Sequence, residues 1–351
     1  MKAISLDGLQ KITVEALEKA GLSGEDARTA ADVLVTTDTF GVLSHGTKNL
    51  YPYIEKMRAG GLDAKARPSV EAEGPSWAVI NGNASLGMLS GCRAMKLAAE
   101  KAEKTGIAYV GVKNSCHFGA AGYYANLAAQ RGMIGLSMSN ADPNMAIPNS
   151  SGVAIGNNPF SFAAPLSGGK SLFLDIALSN VAALKVVMAR EKGTAVPASW
   201  LIDEDGRPTS DPSGFPERSH LQPMAAHKGY GLAMMVETLA SVLTGAGILS
   251  EVVSWNLKMS EKNRVGHAFI AVDVRQMMPL PEFERRMAQM ISELKSAPLA
   301  KGASQIFVPG EMEWARRDKA LRENRLELTD VMADNLEKLS VLYGLELRFL
   351  N

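Results

Sequence analysis

Apolar positions at the start of the chain keep a helical rhythm. Leu6, Leu9, Ile12 and Leu17 recur at helical spacing, and Gly21 ends that run. Ser23 with Asp26 has the form of a capping box for a second helix, which runs through Ala31, Val33 and Leu34 towards Phe40. A third, shorter helix is expected over 51–58, closed by Gly60-Gly61.

From about residue 70 the rhythm changes. Short apolar runs at 77–80, 107–112, 133–139, 159–164, 171–177 and 265–274 read as strands, with Asn81-Gly82-Asn83 as a turn after the first. Between them, 86–104, 120–131, 180–192 and 228–243 read as helices, and 202–222, rich in Asp, Pro, Ser and Gly, as one long surface loop. Three polar, amphipathic helices follow at 281–295, 312–322 and 328–343. The expected architecture is α/β of the α+β kind: a mixed-sheet domain over 75–280, and a helical domain formed by 1–74 together with 281–351. No internal repeat interrupts this pattern.

Composition narrows the class of partner. Lys+Arg and Asp+Glu both number 37, so the net charge is zero, which argues against nucleic acid or an anionic membrane. No apolar run is long and uncharged enough to span a bilayer. The start lacks the apolar stretch of a signal peptide, so a cytoplasmic protein is expected. The two cysteines, Cys92 and Cys116, form no C-x-x-C, and no metal site is expected.

Two of the five histidines stand in glycine-flanked breaks after apolar segments. Ser44-His45-Gly46 follows the second helix. Its histidine suits a general acid oriented by Ser44; a helix C-cap that binds the last carbonyls is an equal alternative. His117-Phe118-Gly119-Ala120-Ala121-Gly122 lies between a strand and a helix, where glycines let backbone approach a phosphate; a plain strand-to-helix turn would also need glycine. Asp175, with Ile176 and Ala177, ends a strand and suits a ribose or amide, or merely caps the next helix. Lys228 opens an apolar helix, within reach of a phosphate or solvated. Gly310-Glu311 reads as a turn into a helix, with Glu311 favourable to the dipole. No G-x-G-x-x-G occurs, so the Rossmann fingerprint is absent.

Taken in order, Ser44-His45-Gly46, His117-x-Gly-Ala-Ala-Gly122, Gly156-Asn-Asn-Pro159, Asp175-Ile-Ala177, His227-Lys-Gly-Tyr-Gly231, Gly266-His267 and Pro309-Gly-Glu311 resemble the type 2 malate/L-lactate dehydrogenase family, the sulfolactate-dehydrogenase-like oxidoreductases. The resemblance covers nearly the whole chain. It implies a non-Rossmann fold that binds NAD or NADP, with NAD placed first, and a homodimer. It places the catalytic pair on Ser44 and His45, and keeps His117 as a second catalytic candidate from the ureidoglycolate branch. It matches Tyr53 to a family tyrosine at the substrate pocket; Asn49, and Lys48 beside it with a charge to supply, are the other candidate substrate contacts. Cofactor contacts fall on His117, Phe118, Gly119, Ala120, Ala121, Gly122, Ser139, Asn140, Asp175, Ile176, Ala177, Lys228, Gly310 and Glu311. The chain departs from the family pattern at Asn49, where many relatives carry an arginine that grips the substrate carboxylate, and at Asn157, where threonine is frequent.

The activity so implied is hydride transfer between a nicotinamide and a small 2-hydroxy acid or 2-keto acid, such as malate, lactate or sulfolactate. The alternatives are reduction of cyclic imino acids (Δ1-piperideine- or Δ1-pyrroline-2-carboxylate), oxidation of ureidoglycolate, and cofactor binding without catalysis.

Overall fold

The computed structural model describes residues 2–350. The outermost residue at each end, counted within the expected helical domain, lies outside the described residues. The chain opens with β1 (Ala3–Ile4), α1 (Leu6–Lys19) and α2 (Gly24–Thr39). Both helices begin as their sequences dictate. Ser5 Oγ accepts from the Gly8 amide and Ser23 Oγ from the Asp26 amide, which satisfies donors that the first turn leaves free. Then come α3 (Leu50–Arg58), the hairpin β2 (Ser69–Gly74) and β3 (Trp77–Asn81), α4 (Gly87–Thr105), β4 (Ile107–Ser115), α5 (Ala121–Ala129) and β5 (Met133–Ser139).

The middle of the chain holds β6 (Met145–Ala146), β7 (Val153–Ile155), β8 (Phe160–Pro165), β9 (Ser171–Ile176), α6 (Ala183–Glu191), β10 (Leu201–Ile202), β11 (Pro208–Thr209), β12 (His220–Leu221) and α7 (His227–Glu237). It ends with β13 (Val265–Asp273), α8 (Leu280–Lys295), α9 (Glu311–Glu323), β14 (Leu326–Glu327) and α10 (Asp330–Tyr343).

A seven-stranded sheet, ordered β2-β3-β4-β13-β5-β8-β9, forms the centre. Only β3 and β4 pair in parallel; every other pair is antiparallel. The sheet is therefore mixed and is not a doubly wound nucleotide-binding sheet, as the missing glycine fingerprint implied. The late strand β13 lies between β4 and β5, so His267 sits opposite Val112 on one side and Ser139 on the other. The two chain ends meet where β1 pairs with β14. One apolar core runs from Ile4 and Leu9 through Leu34, Ile54, Met95 and Val110 to Phe269 and Leu336. A second, containing Leu178, Leu201, Leu221 and Val236, lies under α7.

Two expectations need correction. The stretch 202–222 is not one loop: β10, β11 and β12 pair there and join β6 and β7 in a five-stranded sheet. Strands of two residues are too short to show a period, so only buried Leu201 and Leu221 betray them. The helix expected over 228–243 is α-helical only to Glu237. It then widens into a π-turn over Thr238–Val242, with exposed Val242 at its end and exposed Leu243 just beyond.

Close packing of α5 on the sheet depends on Gly135. A Cβ at that position would lie 2.4 Å from the Ala125 carbonyl oxygen and 2.8 Å from the Ala128 methyl. Gly135→Ala is expected to cost about 1–3 kcal/mol in urea unfolding through overpacking. A loss below about 0.5 kcal/mol would show that the helix and sheet are not in that contact.

Candidate functional site

Ser44 and His45 lie in the loop after α2, and a buried carboxylate shapes that loop. Asp38 continues the apolar face of α2 one turn beyond Leu34 and is buried. Its Oδ2 accepts from the Thr47 amide at 3.0 Å and from Thr47 Oγ1 at 2.6 Å. Its Oδ1 has no partner and presses on Gly46, where a Cβ would lie 1.8 Å away. Any side chain at 46 would therefore expel Asp38 or the loop. Asn49 Nδ2 donates to the Ser44 carbonyl at 2.9 Å, and Ser44 Oγ stands 2.8 Å from His45 Nδ1. Lys48, half-buried, carries its charge close to His45.

His117 arrives from the end of β4. The first turn of α4 passes so close that a Cβ on Gly87 would meet the carbonyl oxygens of Cys116 and His117 at 2.4 and 2.5 Å. Tyr53, fully buried on α3, places its hydroxyl 2.5 Å from His117 Nδ1. The His117 ring stacks on His45 with centroids 5.5 Å apart, and on Trp255 at 4.6 Å and 16°. Trp255 also packs on Tyr53 at 5.0 Å. Helix α3, strand β4, the loop after α2 and the segment before β13 thus converge on two imidazoles.

Burial sets the protonation of this cluster. It lowers His45 to about 4, with the charge of Lys48 adding to the effect. It holds His117 well below the usual histidine range, with His45 and His267 contributing. Both rings are neutral at physiological pH. Burial also pushes the Tyr53 hydroxyl well above its usual value, so it stays protonated. A neutral imidazole in contact with a protonated phenol can take a proton from an alcohol, and its conjugate acid can return one.

The remaining predicted residues fall into two groups. Phe118 is buried between Tyr124 and His267, with centroids 4.8 and 4.4 Å away. A Cβ on Gly119 would come within 3.4 Å of the His45 carbonyl oxygen, so the two loops touch. Ala120 and Ala121 are buried, and the Ala121 carbonyl accepts from Ser137 Oγ. The Gly122 amide donates to Asp175 Oδ2 at 2.9 Å, so the end of β9 supplies the anion at the start of α5. Burial raises Asp175 to about 6. Ile176 and Ala177 follow it at the strand end, half-buried. Gly310 packs its backbone on Phe173 of the same strand, and Glu311 opens α9 in an ion pair with Lys295.

Ser139 and Asn140 serve the framework in this geometry. Ser139 Oγ is 2.9 Å from His267 Nδ1, and Asn140 Nδ2 donates to Ser241 Oγ at 2.6 Å and to the Gly247 carbonyl at 2.9 Å. Lys228 is exposed in the first turn of α7. That turn lies beside the end of β9, since the Met224 amide donates to the Leu178 carbonyl and Ser179 pairs with Pro223.

A phosphate-bearing cofactor fits this region. Helix α6 begins without a side-chain cap, which suits an anion; in α7 the Lys228, Gly229 and Tyr230 amides already donate to the Ala225, Met224 and Ala226 carbonyls, so that end offers the charge of Lys228. Asp175 offers an acceptor to hydroxyls between those helices and the histidines. A cavity of about 480 Å³ lies elsewhere, against Asn81, Asn114 and Asn263. The histidines mark the chemistry better than the volume does, because Trp255 covers them.

Sequence reasoning missed Trp255 and Asp38, and gave His267 no role. Asp38 was legible as a polar residue on the buried face of its helix. Trp255 stands in a polar stretch with no period, and nothing local points it at His117.

The chain is similar to known proteins along nearly its whole length. The family model described as malate/L-lactate dehydrogenase matches residues 4–337. A malate dehydrogenase of Pyrococcus abyssi is 37% identical over 91% of this chain and 89% of its own length. An L-sulfolactate dehydrogenase of Methanocaldococcus jannaschii is 34% identical over 96% of both chains. The crystal structure of malate dehydrogenase from Entamoeba histolytica superposes with a TM-score of 0.93, at 30% identity and 99% coverage of each chain.

His267 provides a test of the electrostatics. It is fully buried, 2.9 Å from Ser139 Oγ at Nδ1 and 2.9 Å from Ser115 Oγ at Nε2, and burial lowers it to about 3. The unfolded chain binds this proton more readily than the folded one. The stabilisation is therefore complete above about pH 6.5 and is lost as pH falls towards the folded value. The wild type's stability margin over His267→Gln should shrink by up to about 1.4 kcal/mol per pH unit between about pH 6.5 and 4. Contributions from Asp38 and Asp175 are common to both proteins and cancel in the difference. A margin that stays level in urea titrations across that range would show that His267 is not held neutral.

Proposed function

Since the chain belongs to the malate/L-lactate dehydrogenase family, we propose that it transfers a hydride between a nicotinamide dinucleotide and a small 2-hydroxy acid or 2-oxo acid, with His117 as the proton-transfer residue. The observation that carries this reading is the 2.5 Å contact between Tyr53 Oη and His117 Nδ1. His117 is oriented by a partner from another element, whereas His45 is held by its chain neighbour Ser44. A tyrosine hydroxyl can both donate and accept, so it serves Nδ1 in either protonation state and leaves Nε2 for substrate.

In oxidation, neutral His117 takes the substrate hydroxyl proton at Nε2; in reduction, the imidazolium returns a proton to the oxo oxygen. The nicotinamide supplies or accepts the hydride. Burial disfavours the imidazolium in the free protein, and a bound substrate carboxylate offsets that by lying close to the ring. Lys48 is the cation nearest His45 on the Ser44–Asn49 turn and is assigned to that carboxylate. His45 lies against His117 and completes the polar wall of the pocket. Asp175, the uncapped start of α6, and Lys228 at the start of α7 would hold the dinucleotide. NAD stands ahead of NADP in this assignment.

The same reading makes the chain a cytoplasmic homodimer, with 1–74 and 281–351 as its helical unit and 75–280 as its cofactor unit. Exposed Leu232, Met234, Met235, Val242 and Leu243 along α7 and its continuation support self-association. No helix of the described residues is long and apolar enough to cross a membrane.

The test is oxidation of NADH and NADPH, followed by nicotinamide absorbance, across 2-oxo acids and cyclic imino acids. Turnover of a 2-oxo acid is expected. His117→Ala should lower kcat by about 100-fold or more. His45→Ala should mainly raise KM, and both variants should bind the reduced cofactor within about twofold of wild type. A larger kcat loss in His45→Ala than in His117→Ala would transfer the proton to His45. Reduction of cyclic imines alone would change the substrate class.

A further inference from the structure

Lys56 lies three residues beyond Tyr53 on α3 and is fully buried. Its Nζ donates to the carbonyls of Lys258 and Glu261, each at 2.8 Å. Both acceptors belong to the segment that carries Trp255. The neck of that segment is closed by the Val253 amide on the Asn263 carbonyl at 3.0 Å and by Asn263 Nδ2 on the Val253 carbonyl at 2.7 Å. Gly61, just past α3, approaches it so closely that a Cβ would lie 2.1 Å from the Met259 carbonyl oxygen. Burying an ammonium against carbonyls alone is costly, and lysine is seldom fully buried.

We propose that Lys56 is a positioning residue: it clasps the 253–263 loop to α3, holds Trp255 on His117, and thereby sets the size limit of the substrate pocket. The proposal rests on the reading of His117 as the proton-transfer residue. An indole stacked 4.6 Å from the imidazole covers one face of the ring, and on this proposal its edge borders the space that a substrate at Nε2 enters. Small 2-oxo acids then clear the indole edge, and branched or aromatic side chains meet it. Without the clasp the loop loses the two hydrogen bonds that hold it to α3, and the indole is free to lift.

The test uses the full-length enzyme with whichever reduced cofactor it turns over. Substrates are a small straight-chain 2-oxo acid and one with an aromatic side chain. Lys56→Met is expected to lower kcat/KM for the small acid roughly tenfold and to raise the aromatic-to-small ratio roughly tenfold, with cofactor affinity unchanged. Trp255→Ala should do the same, and the double variant should add nothing, because both act through one ring. Gly61→Ala perturbs the same contact with the lysine intact and stands in if Lys56→Met does not fold. Unchanged selectivity in Lys56→Met and Gly61→Ala, or effects that multiply in the double variant, would overturn the proposal. If the wild type binds cofactor but reduces neither acid, the functional reading fails separately. Acrylamide quenching of Trp255, taken as the difference from Trp255→Phe, then decides the clasp: greater access in Lys56→Met supports it, and equal access refutes it.

Discussion

The hydrogen bond from Tyr53 to Nδ1 of His117 joins the helical beginning of the chain to the exit of a central strand, and the chemistry of the site depends on it. A half-buried imidazole without a partner would be free to rotate and would leave its inward nitrogen poorly satisfied. Tyr53 settles both. It fixes which nitrogen faces inward, and it does so from a helix whose apolar residues Leu50 and Ile54 belong to the main core. The orientation of the His117 ring is thus as firm as the packing of α3.

Around that bond the site is built by close approach of backbones, not by an open cleft. Asp38 fills the space that a side chain at residue 46 would need, and α4 passes against the Cys116 and His117 carbonyls at Gly87. Packing around these contacts strips much of the water from both rings, which stay partly exposed, and desolvation lowers both histidines. The same burial works in the other direction on carboxyls, raising Asp38 to about 7 and Asp175 to about 6. Burial therefore works against charge on the two histidines and on Asp38, while Lys48 and Asp175 keep charges at the edges of the site.

The elements were largely legible because they are long and periodic. The spacing of Leu6, Leu9, Ile12 and Leu17, the cap at Ser23, and the apolar runs at β4, β5 and β13 each carry their own signal. The paired strands within 202–222 were not, since two residues cannot display a period. For the site, sequence could mark Ser44-His45 and His117 through their glycine neighbours, and the structure brings those rings to 5.5 Å. Trp255 and Lys56 were invisible because their roles exist only across long separations in the chain. The Lys56 ammonium meets carbonyls about 200 residues away, and no local pattern encodes that meeting.

The asparagine at position 49 bears on substrate choice through the same geometry. Its amide is used to brace the Ser44 carbonyl, and it is buried, so it offers the pocket no charge. An arginine there would present a bidentate fork and fix a carboxylate in one plane; Lys48 presents a point charge on a flexible stem. Weaker directional control of the carboxylate leaves more of the discrimination to shape. In this pocket, shape is largely the indole of Trp255, set against His117 and Tyr53. The departure at residue 49 and the clasped tryptophan then belong to one arrangement, in which the position of an aromatic wall selects the substrate that a fixed guanidinium would otherwise have selected.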